Sequence, residues 1–266
     1  PEFSRQSKGI PIVNLLQVEK DERVNAVIQI SREENSKYLL FATEAGVVKK
    51  TLISEFDNIR NSGKICISLR ENDKLIGVKK TTGNDLVLLG SDSGRMVKFN
   101  EDEIRVMGRT ASGVRGISLD GSKCICSEIV KEEDTILLVT EKGYGKQTKV
   151  SEYRQTRRGS KGVKAMNITE KNGNLVSVKI VHEGKELVIM TNSGMTMRMP
   201  LDQISVLGRV TQGLRLINLK DNQKVSTISL VDKPEEETSE ENIEQSENVA
   251  QNELEVAENI QNTEAE

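Results

Sequence analysis

The sequence predicts an all-β fold, a propeller-like array of four-stranded blades of about fifty residues each. The first observation is an internal repeat, because a glycine that follows a polar turn recurs as Gly46, Gly94, Gly143 and Gly194, at separations of 48, 49 and 51 residues. The second is that short apolar runs, and little helical periodicity, fill each repeat. A period of this length indicates a stacked or radial array, and four strands per repeat are typical of a propeller blade.

The strands of one repeat can be read in order from the turn residues that bound them. The four predicted strands are Leu86–Leu89, Arg95–Phe99, Val114–Leu119 and Cys124–Val130. Each run is four to seven residues long, rich in aliphatic residues, and bounded by Gly, Asp, Asn or Ser, which favours strands over helices. Only 3% of the chain is aromatic, so we expect thin aliphatic cores between many small blades.

The same pattern divides the chain into a repeat domain and a tail. We predict a domain over residues 1–231, made of a partial repeat and four complete ones, followed by a disordered acidic tail over residues 232–266. The predicted repeats are 1–45, about 46–93, 94–142, 143–193 and 194–231. The tail is rich in Glu, Gln, Asn and Ser, which is typical of disorder.

Charge is distributed unevenly between these two parts. The net charge of the chain is −3, but the tail holds 13 acidic residues against one Lys, so residues 1–231 carry 37 basic and 28 acidic side chains. A basic body joined to an acidic tail is typical of proteins that bind polyanions. The tail would either only increase solubility or act as an intramolecular competitor for the ligand of the basic body.

Three cysteines, Cys66, Cys124 and Cys126, form no disulfide framework and indicate a reducing compartment. We expect Cys124 and Cys126 to be buried thiols and predict no metal site, because the chain has a single His. No apolar run is long enough to span a membrane. We therefore predict a cytoplasmic protein without a membrane partner.

The basic residues of the body recur with the repeat, at equivalent positions after the first glycine or around a second one. In a radial array, equivalent residues would form a basic belt around the rim. Such a belt would bind duplex DNA through its phosphates, with little sequence specificity and strong salt dependence. No recognition helix, zinc finger or aromatic stacking platform for base readout is evident in the sequence.

The segment from Tyr153 to Gly162, which reads Tyr-Arg-Gln-Thr-Arg-Arg-Gly-Ser-Lys-Gly, resembles the Gln-Arg-Arg-Gly-Gly-Lys-Gly box of the DNA gyrase A subunit family. The phrases at residues 12–16, 46–51, 113–117 and 143–146 also resemble the carboxy-terminal region of that family. The resemblance covers about residues 1–231 and implies a β-pinwheel that wraps DNA around its basic edge.

Two departures from the family pattern accompany the resemblance. Thr156 is an extra residue within the box, and Ser160 replaces its second glycine. The box-like segment also falls late in the repeat series, whereas the family box belongs to the first blade. We therefore expect a fragment that lacks the catalytic core, the first blade and part of the second. We expect it to bind and bend DNA weakly, but not to support supercoiling when it is joined to a core that lacks the first blade.

The resemblance and the belt together give the candidate DNA-binding residues. Arg157, Arg158, Lys161 and Lys164 would contact phosphates, and Gly159 and Gly162 would let backbone N–H groups approach the phosphate closely. The supporting cations are Arg109, Arg115, Arg209 and Arg215 in adjacent blades, together with Lys49, Lys50, Lys98 and Lys149.

The resemblance implies an ATP-hydrolysing type II topoisomerase that introduces negative supercoils, of which this chain would be a non-catalytic part. Its partners would be the gyrase B subunit and the A-subunit core in a heterotetramer, with ATP and Mg²⁺ bound elsewhere and no cofactor in this chain. Two alternatives remain open at this point. The chain could be the equivalent region of topoisomerase IV, which relaxes or decatenates DNA, or a propeller scaffold that binds protein.

Overall fold

The structure is a computed structural model, and it describes residues 9–10, 14, 24, 27–30, 37–57, 63–220 and 222–233. Most of the predicted partial repeat before residue 37, and the predicted tail after residue 233, lie outside the described residues. The chain divides into two units, residues 1–231 and 232–266, and the blades described below belong to the first.

The described residues form fifteen β-strands and four short 3₁₀ helices. The strands are β1 Tyr38–Thr43, β2 Val47–Leu52, β3 Leu75–Thr81, β4 Leu86–Ser91, β5 Arg95–Asn100, β6 Val114–Arg115, β7 Cys124–Val130, β8 Thr135–Thr140, β9 Tyr144–Lys149, β10 Val163–Lys164, β11 Leu175–Ile180, β12 Lys185–Thr191, β13 Thr196–Pro200, β14 Leu214–Arg215 and β15 Val225–Asp232. The 3₁₀ helices are Ile53–Phe56, Glu101–Glu103, Val150–Glu152 and Leu201–Gln203.

These strands form four sheets within the described residues, which we number as blades 1 to 4 along the chain. Blade 1 has the strand order β3-β1-β2-β6, blade 2 β7-β4-β5-β10, and blade 3 β11-β8-β9-β14; blade 4 has the order β15-β12-β13. Their long strands pair in antiparallel register, as in the ladder of β4 and β5 that joins Leu86 to Asn100. The predicted all-β, propeller-like fold of four-stranded blades is confirmed.

One strand of each four-stranded blade comes from the following repeat. The predicted strand from Val114 to Leu119 narrows to the two residues of β6, which pair with β2 of blade 1 although β4, β5 and β7 of the same repeat form blade 2. Gly113 permits this crossing, because its φ is +95° and a Cβ there would lie 2.6 Å from the Val48 carbonyl oxygen. This strand exchange connects each four-stranded blade to the next repeat. It cannot be seen from the order of strands along the sequence.

The hydrophobic cores lie between neighbouring blades. Leu40 and Val48 of blade 1 share a buried cluster with Val87 and Phe99 of blade 2, whereas Leu39 and Phe41 pack in a cluster on the other face of blade 1. Successive residues of a strand point to opposite faces of the sheet, so these two clusters cover both faces of the central strand β1. Cys124 and Cys126 belong to two of these clusters and are buried, as expected.

Candidate nucleic-acid interface

The short strands β6, β10 and β14 define the outer edge of three successive blades. Each ends one sheet, and the opposite end of the same sheet is β3, β7 or β11, of which β7 contacts both of the others. The long edge strands therefore gather on the inside of the array and the short ones on its outside. The outer strands place Arg115, Lys164 and Arg215 at equivalent positions, and all three are exposed. We call these three residues the rim cations.

The residue paired across from each rim cation differs from blade to blade. Lys164 is paired with Arg95, so two cations lie directly opposite each other at the edge of blade 2. Arg215 is paired with Tyr144, donates from Nη2 to its hydroxyl oxygen at 2.9 Å and lies over its ring at 5.5 Å from the centroid. This guanidinium lowers the pKa of Tyr144. Arg115 is paired with Val47.

Three further arginines of the predicted set, Arg109, Arg158 and Arg209, are partly buried and join neighbouring blades. Each lies four residues before the second glycine of its repeat and donates to a backbone carbonyl of the preceding repeat. Arg158 donates from Nη1 to the Arg115 carbonyl at 3.1 Å, and Arg209 donates to the Lys164 carbonyl. Arg109 donates to Ile65 at 3.4 Å. Arg158 and Arg209 therefore fix the rim cation of one repeat relative to the loop of the next.

Carboxylates at a second repeated position hold the same loops. Glu103 accepts the backbone N–H of Arg158 at 3.0 Å, and Glu152 accepts that of Arg209 at 2.8 Å. The Glu103 carbonyl also accepts from Arg158 Nε at 2.9 Å. A charge-assisted bond of this kind is stronger than a neutral one, so each loop is held at a defined distance from its neighbour.

The box-like segment forms the loop between the 3₁₀ helix at 150–152 and β10. The Thr156 N–H donates to the Lys98 carbonyl at 2.7 Å, as the equivalent Met107 N–H does to Lys50 at 2.8 Å. Thr156 is therefore in register with the other repeats. The two departures from the family box meet here, because the Ser160 hydroxyl lies 3.3 Å from the Thr156 hydroxyl.

Within this loop every cation except Arg158 is exposed, and the glycines serve the packing. Arg157 and Lys161 are exposed, and Lys161 makes an ion pair of 2.6 Å with Asp120. The Gly159 N–H donates to the Gly116 carbonyl at 2.5 Å. Gly162 has φ +67°, and a Cβ there would lie 2.1 Å from the Met96 carbonyl oxygen. Both glycines thus allow the loop to lie close to other backbone segments.

Three lysines of the predicted set are buried in the interior, where their ammonium groups donate to protein carbonyls. Lys50 donates to the Glu101 carbonyl at 2.9 Å, and Lys98 donates to the Val150 carbonyl at 3.3 Å and to Glu132 at 2.7 Å. These carbonyls belong to the first residue of a 3₁₀ helix in the next blade. Lys49, which is fully buried, donates to the carbonyls of Cys66 and Arg109. These three side chains connect blades, whereas Lys149 is exposed.

Lys146 is the equivalent of Lys49 two blades further on. Its ammonium donates to the carbonyls of Gly208 and Arg209, both at 2.7 Å, and it has no exposed surface. Burial lowers the pKa of both Lys49 and Lys146 to about 8, because desolvation disfavours the charged form. We call Lys49, Lys50, Lys98 and Lys146 the interior lysines.

Two basic clefts open beside the rim cations, and both contain residues outside the predicted set. One, of about 450 Å³, is lined by Arg95, Glu152, Arg154, Gly162, Val163, Lys164 and Arg209. The other, of about 440 Å³, is lined by Lys142, Tyr144, Lys171, Arg215, Ile217, Leu219, Lys220, Asn222, Gln223 and Lys224. The unassigned cations share no single repeat position, so periodicity could not identify them; only their spatial convergence does.

Neither a metal site nor a membrane-spanning helix is found in the described residues. No group of three or more His, Cys, Asp or Glu side chains in that part of the chain is placed to hold a metal ion. Also within it, no helix has the length and apolar character needed to cross a membrane.

Comparison with protein families gives a match that covers most of the chain. The family described as DNA gyrase C-terminal domain, beta-propeller, matches residues 37–82, 85–125, 134–182 and 185–232. The four matched segments correspond to the four blades in order.

Proteins similar to this chain in sequence include two DNA gyrase A subunits. The chain is 44% identical over 240 residues to that of Staphylococcus epidermidis (strain ATCC 12228), and 44% identical over 246 residues to that of Staphylococcus aureus (strain NCTC 8325). These alignments cover 89% and 91% of this chain but 27% and 28% of the relatives. The chain thus spans little more than a quarter of their length.

Solved structures share the fold. A crystal structure of the C-terminal domain of DNA topoisomerase IV superposes with a TM-score of 0.78 at 24% identity, covering 84% of this chain and 71% of that domain. A structure of the DNA gyrase A C-terminal domain superposes with a TM-score of 0.73, also at 24% identity, covering 84% and 75%.

Proposed function

The chain belongs to the family of DNA gyrase C-terminal β-propeller domains, and we propose that it binds and bends duplex DNA around its outer edge with little sequence specificity. One observation carries the proposal: Arg115, Lys164 and Arg215 occupy equivalent, exposed positions on the outermost strands of three successive blades. A curved row of cations at regular intervals is suited to a duplex that is contacted through its phosphates.

The remaining exposed cations of the loops extend this surface. Arg157, Lys161 and Lys149 are accessible to a phosphate, and the partly buried Arg109, Arg158 and Arg209 hold the surface in place. Bending 20 to 30 base pairs of duplex by 40–90° costs on the order of 1–6 kcal/mol. Several phosphate contacts on successive blades are needed to offset that cost, which explains why the cations recur.

The relatives point to the larger context in which we propose that this surface works. They are gyrase A subunits, so the chain would act as a non-catalytic part of an ATP-dependent type II topoisomerase that introduces negative supercoils. Its partners would be duplex DNA, the A-subunit core and the B subunit, with ATP and Mg²⁺ bound outside this chain. A cytoplasmic, chromosome-associated location follows from that role.

A topoisomerase IV domain is the second candidate, because the topoisomerase IV structure superposes at least as well as the gyrase structure. At 24% identity both likenesses show the fold alone. The 44% identity to gyrase A subunits favours the gyrase assignment. A protein-binding propeller scaffold is disfavoured by the rim cations, and its DNA affinity would lack a steep dependence on salt.

The experiment that tests the proposal measures the linking number of relaxed, closed-circular plasmid after incubation with the 266-residue chain and a nicking-closing topoisomerase. Bending of DNA into a coiled path should leave a shift in linking number that grows with the ratio of protein to DNA. The variant Arg115→Ala/Lys164→Ala/Arg215→Ala should show a smaller shift, and Lys131→Ala, an exposed lysine between β7 and β8, should match the wild type. Binding without any shift would overturn the bending claim.

A further inference from the structure

The cleft lined by Arg95, Arg154, Lys164 and Arg209 lies between blades 2 and 3 and contains one carboxylate, Glu152. Building on the proposed function, we propose that it is a seat for one backbone phosphate, built jointly by two blades, and that a second seat of the same design lies between blades 1 and 2. DNA would then be held at these two junctions by clusters of cations, whereas Arg215 would make a single contact farther along the rim.

The geometry of the first seat brings its cations together by bonds that do not involve the ligand. Arg95 and Lys164 are cross-strand partners, and Arg95 Nη1 donates to the Gly162 carbonyl at 3.1 Å. Arg209 donates to the carbonyl of Lys164 itself. Arg154 follows the 3₁₀ helix that carries Glu152 and is exposed. Three cations are thus tied to one short stretch of backbone, and a fourth lines the same cleft.

The charge balance of this cleft favours an external anion. Four cations face a single carboxylate, and Glu152 already accepts the backbone N–H of Arg209 at 2.8 Å. Like charges that are directly opposed across two strands destabilise the sheet, so the pairing of Arg95 with Lys164 is unfavourable without a counter-ion. A guanidinium has five N–H donors, and a bond to one carbonyl leaves others for phosphate oxygens.

The same design recurs at the junction of blades 1 and 2. Arg105 lies eleven residues after Gly94, as Arg154 does after Gly143. The other equivalents are Arg115 for Lys164, Arg158 for Arg209 and Glu103 for Glu152. Arg158 donates to the Arg115 carbonyl at 3.1 Å, and its N–H donates to Glu103 at 3.0 Å. This seat has three cations, because Val47 replaces Arg95.

The design does not extend to every repeat of the described chain. The position of Arg105 and Arg154 is taken by Asp57 in the repeat before and by Ser205 in the repeat after. Two seats are therefore expected where a plain count of rim cations gives three equivalent contacts. Arg105 and Arg154, which the sequence pattern did not select, become specific phosphate ligands.

The experiment is a set of double-mutant cycles on the full chain, in which duplex DNA affinity is measured between about 50 and 200 mM salt. Arg154→Ala and Lys164→Ala remove two cations from one seat, and Arg154→Ala and Arg105→Ala remove one from each seat. Each single variant should reduce the magnitude of the negative slope of log affinity against log salt by about 0.9. The within-seat double should lose no more than a single variant, whereas the between-seat double should lose about twice as much.

Controls separate the possible failures. All these side chains are exposed, so thermal unfolding should be unchanged, and Lys131→Ala should keep the wild-type slope. Additive changes in slope for the two variants of one seat would overturn the seat but not the DNA-binding function. The same conclusion would follow if the wild type were steeply salt-dependent and no variant changed its slope. A wild type without steep salt dependence would instead overturn the proposed function on which the seats rest.

Discussion

The interior lysines and the rim cations are both periodic, yet the fold uses them in opposite ways. Lys49 and Lys146 lie three residues after the first glycine of a repeat, on a strand covered by sheets on both faces, and their ammonium groups donate to loop carbonyls. Arg115 and Lys164 lie two residues after the second glycine, on an edge strand that faces outwards. Charge that repeats with a structural period therefore identifies either an interior connection or a ligand surface.

The distinction is energetic. A buried ammonium loses its hydration, and only hydrogen bonds to otherwise unpaired carbonyls make its burial tolerable. An exposed cation keeps its hydration and is available to a ligand. Substitutions in the two sets should consequently differ in what they change, with the interior set acting on stability and the rim set on DNA affinity.

The largest effect should come from Gly162→Ala, which breaks the edge strand of blade 2. A Cβ at this position would lie 2.1 Å from the Met96 carbonyl oxygen, in a backbone conformation with φ +67°. We expect a loss of about 2–5 kcal/mol in the free energy of unfolding, from left-handed strain and overpacking together. Urea denaturation measures it.

Gly184→Ala is the matched control, because Gly184 has φ +73° with nothing within 4 Å of its Cβ position. Its free energy of unfolding should fall only by the cost of placing a Cβ in the left-handed backbone conformation, about 1–2 kcal/mol. Equal losses at the two sites would show that the close approach of β10 to β5 is not needed.

Lys146→Met should have the next largest effect and sharpens the contrast between interior and rim. It leaves the Gly208 and Arg209 carbonyls without their donor, and we expect a loss of about 1–3 kcal/mol in the free energy of unfolding. Lys149→Met, three residues away and exposed, should stay within about 0.5 kcal/mol of the wild type. The salt dependence of DNA binding should be unchanged in Lys146→Met, and a clear fall would move this lysine into the binding surface.

A smaller effect should appear in the pH dependence of stability. The pKa of Lys146 is about 8 in the folded chain against an ordinary value of 10.5, so between these pH values the unfolded chain binds more protons. Stability should therefore rise with pH across this window and be lowest, with respect to this group, below pH 8. The difference in unfolding free energy between wild type and Lys146→Met should grow from pH 8 to 10.5; a constant difference would contradict the lowered pKa.

The fold could be predicted from sequence because the repeat and its strand runs are local signals. Exposure could not be predicted for Lys49 and Lys50, because adjacent residues of a strand point to opposite faces and here both faces are covered by other blades. The strand exchange of β6 also escaped prediction, since it depends on how Gly113 approaches Val48 in space. The exposure of Arg115, Lys164 and Arg215 could be predicted, because their shared repeat position lies on the outer edge strand of each blade.

The roles of Arg158 and Arg209 needed the structure for a different reason. Sequence gives the spacing of an arginine within its repeat, but the carbonyl that it reaches belongs to the preceding repeat, more than forty residues away. Arg154 escaped selection because its repeat position carries a cation in only one other repeat, and Arg95 because its position carries no cation in the other repeats that begin at Gly46, Gly143 and Gly194. Their convergence with Lys164 is a tertiary property of one blade junction.

The most direct test of the central claim, that the rim cations and not the interior lysines bind DNA, compares salt-dependent duplex affinity in three forms of the full chain. These are the wild type, Arg115→Ala/Lys164→Ala/Arg215→Ala and Lys146→Met. The rim triple should reduce the magnitude of the negative slope of log affinity against log salt by about 2.7, which is about 0.9 per phosphate contact. Lys146→Met should leave the slope unchanged. An unchanged slope in the rim triple would contradict the account.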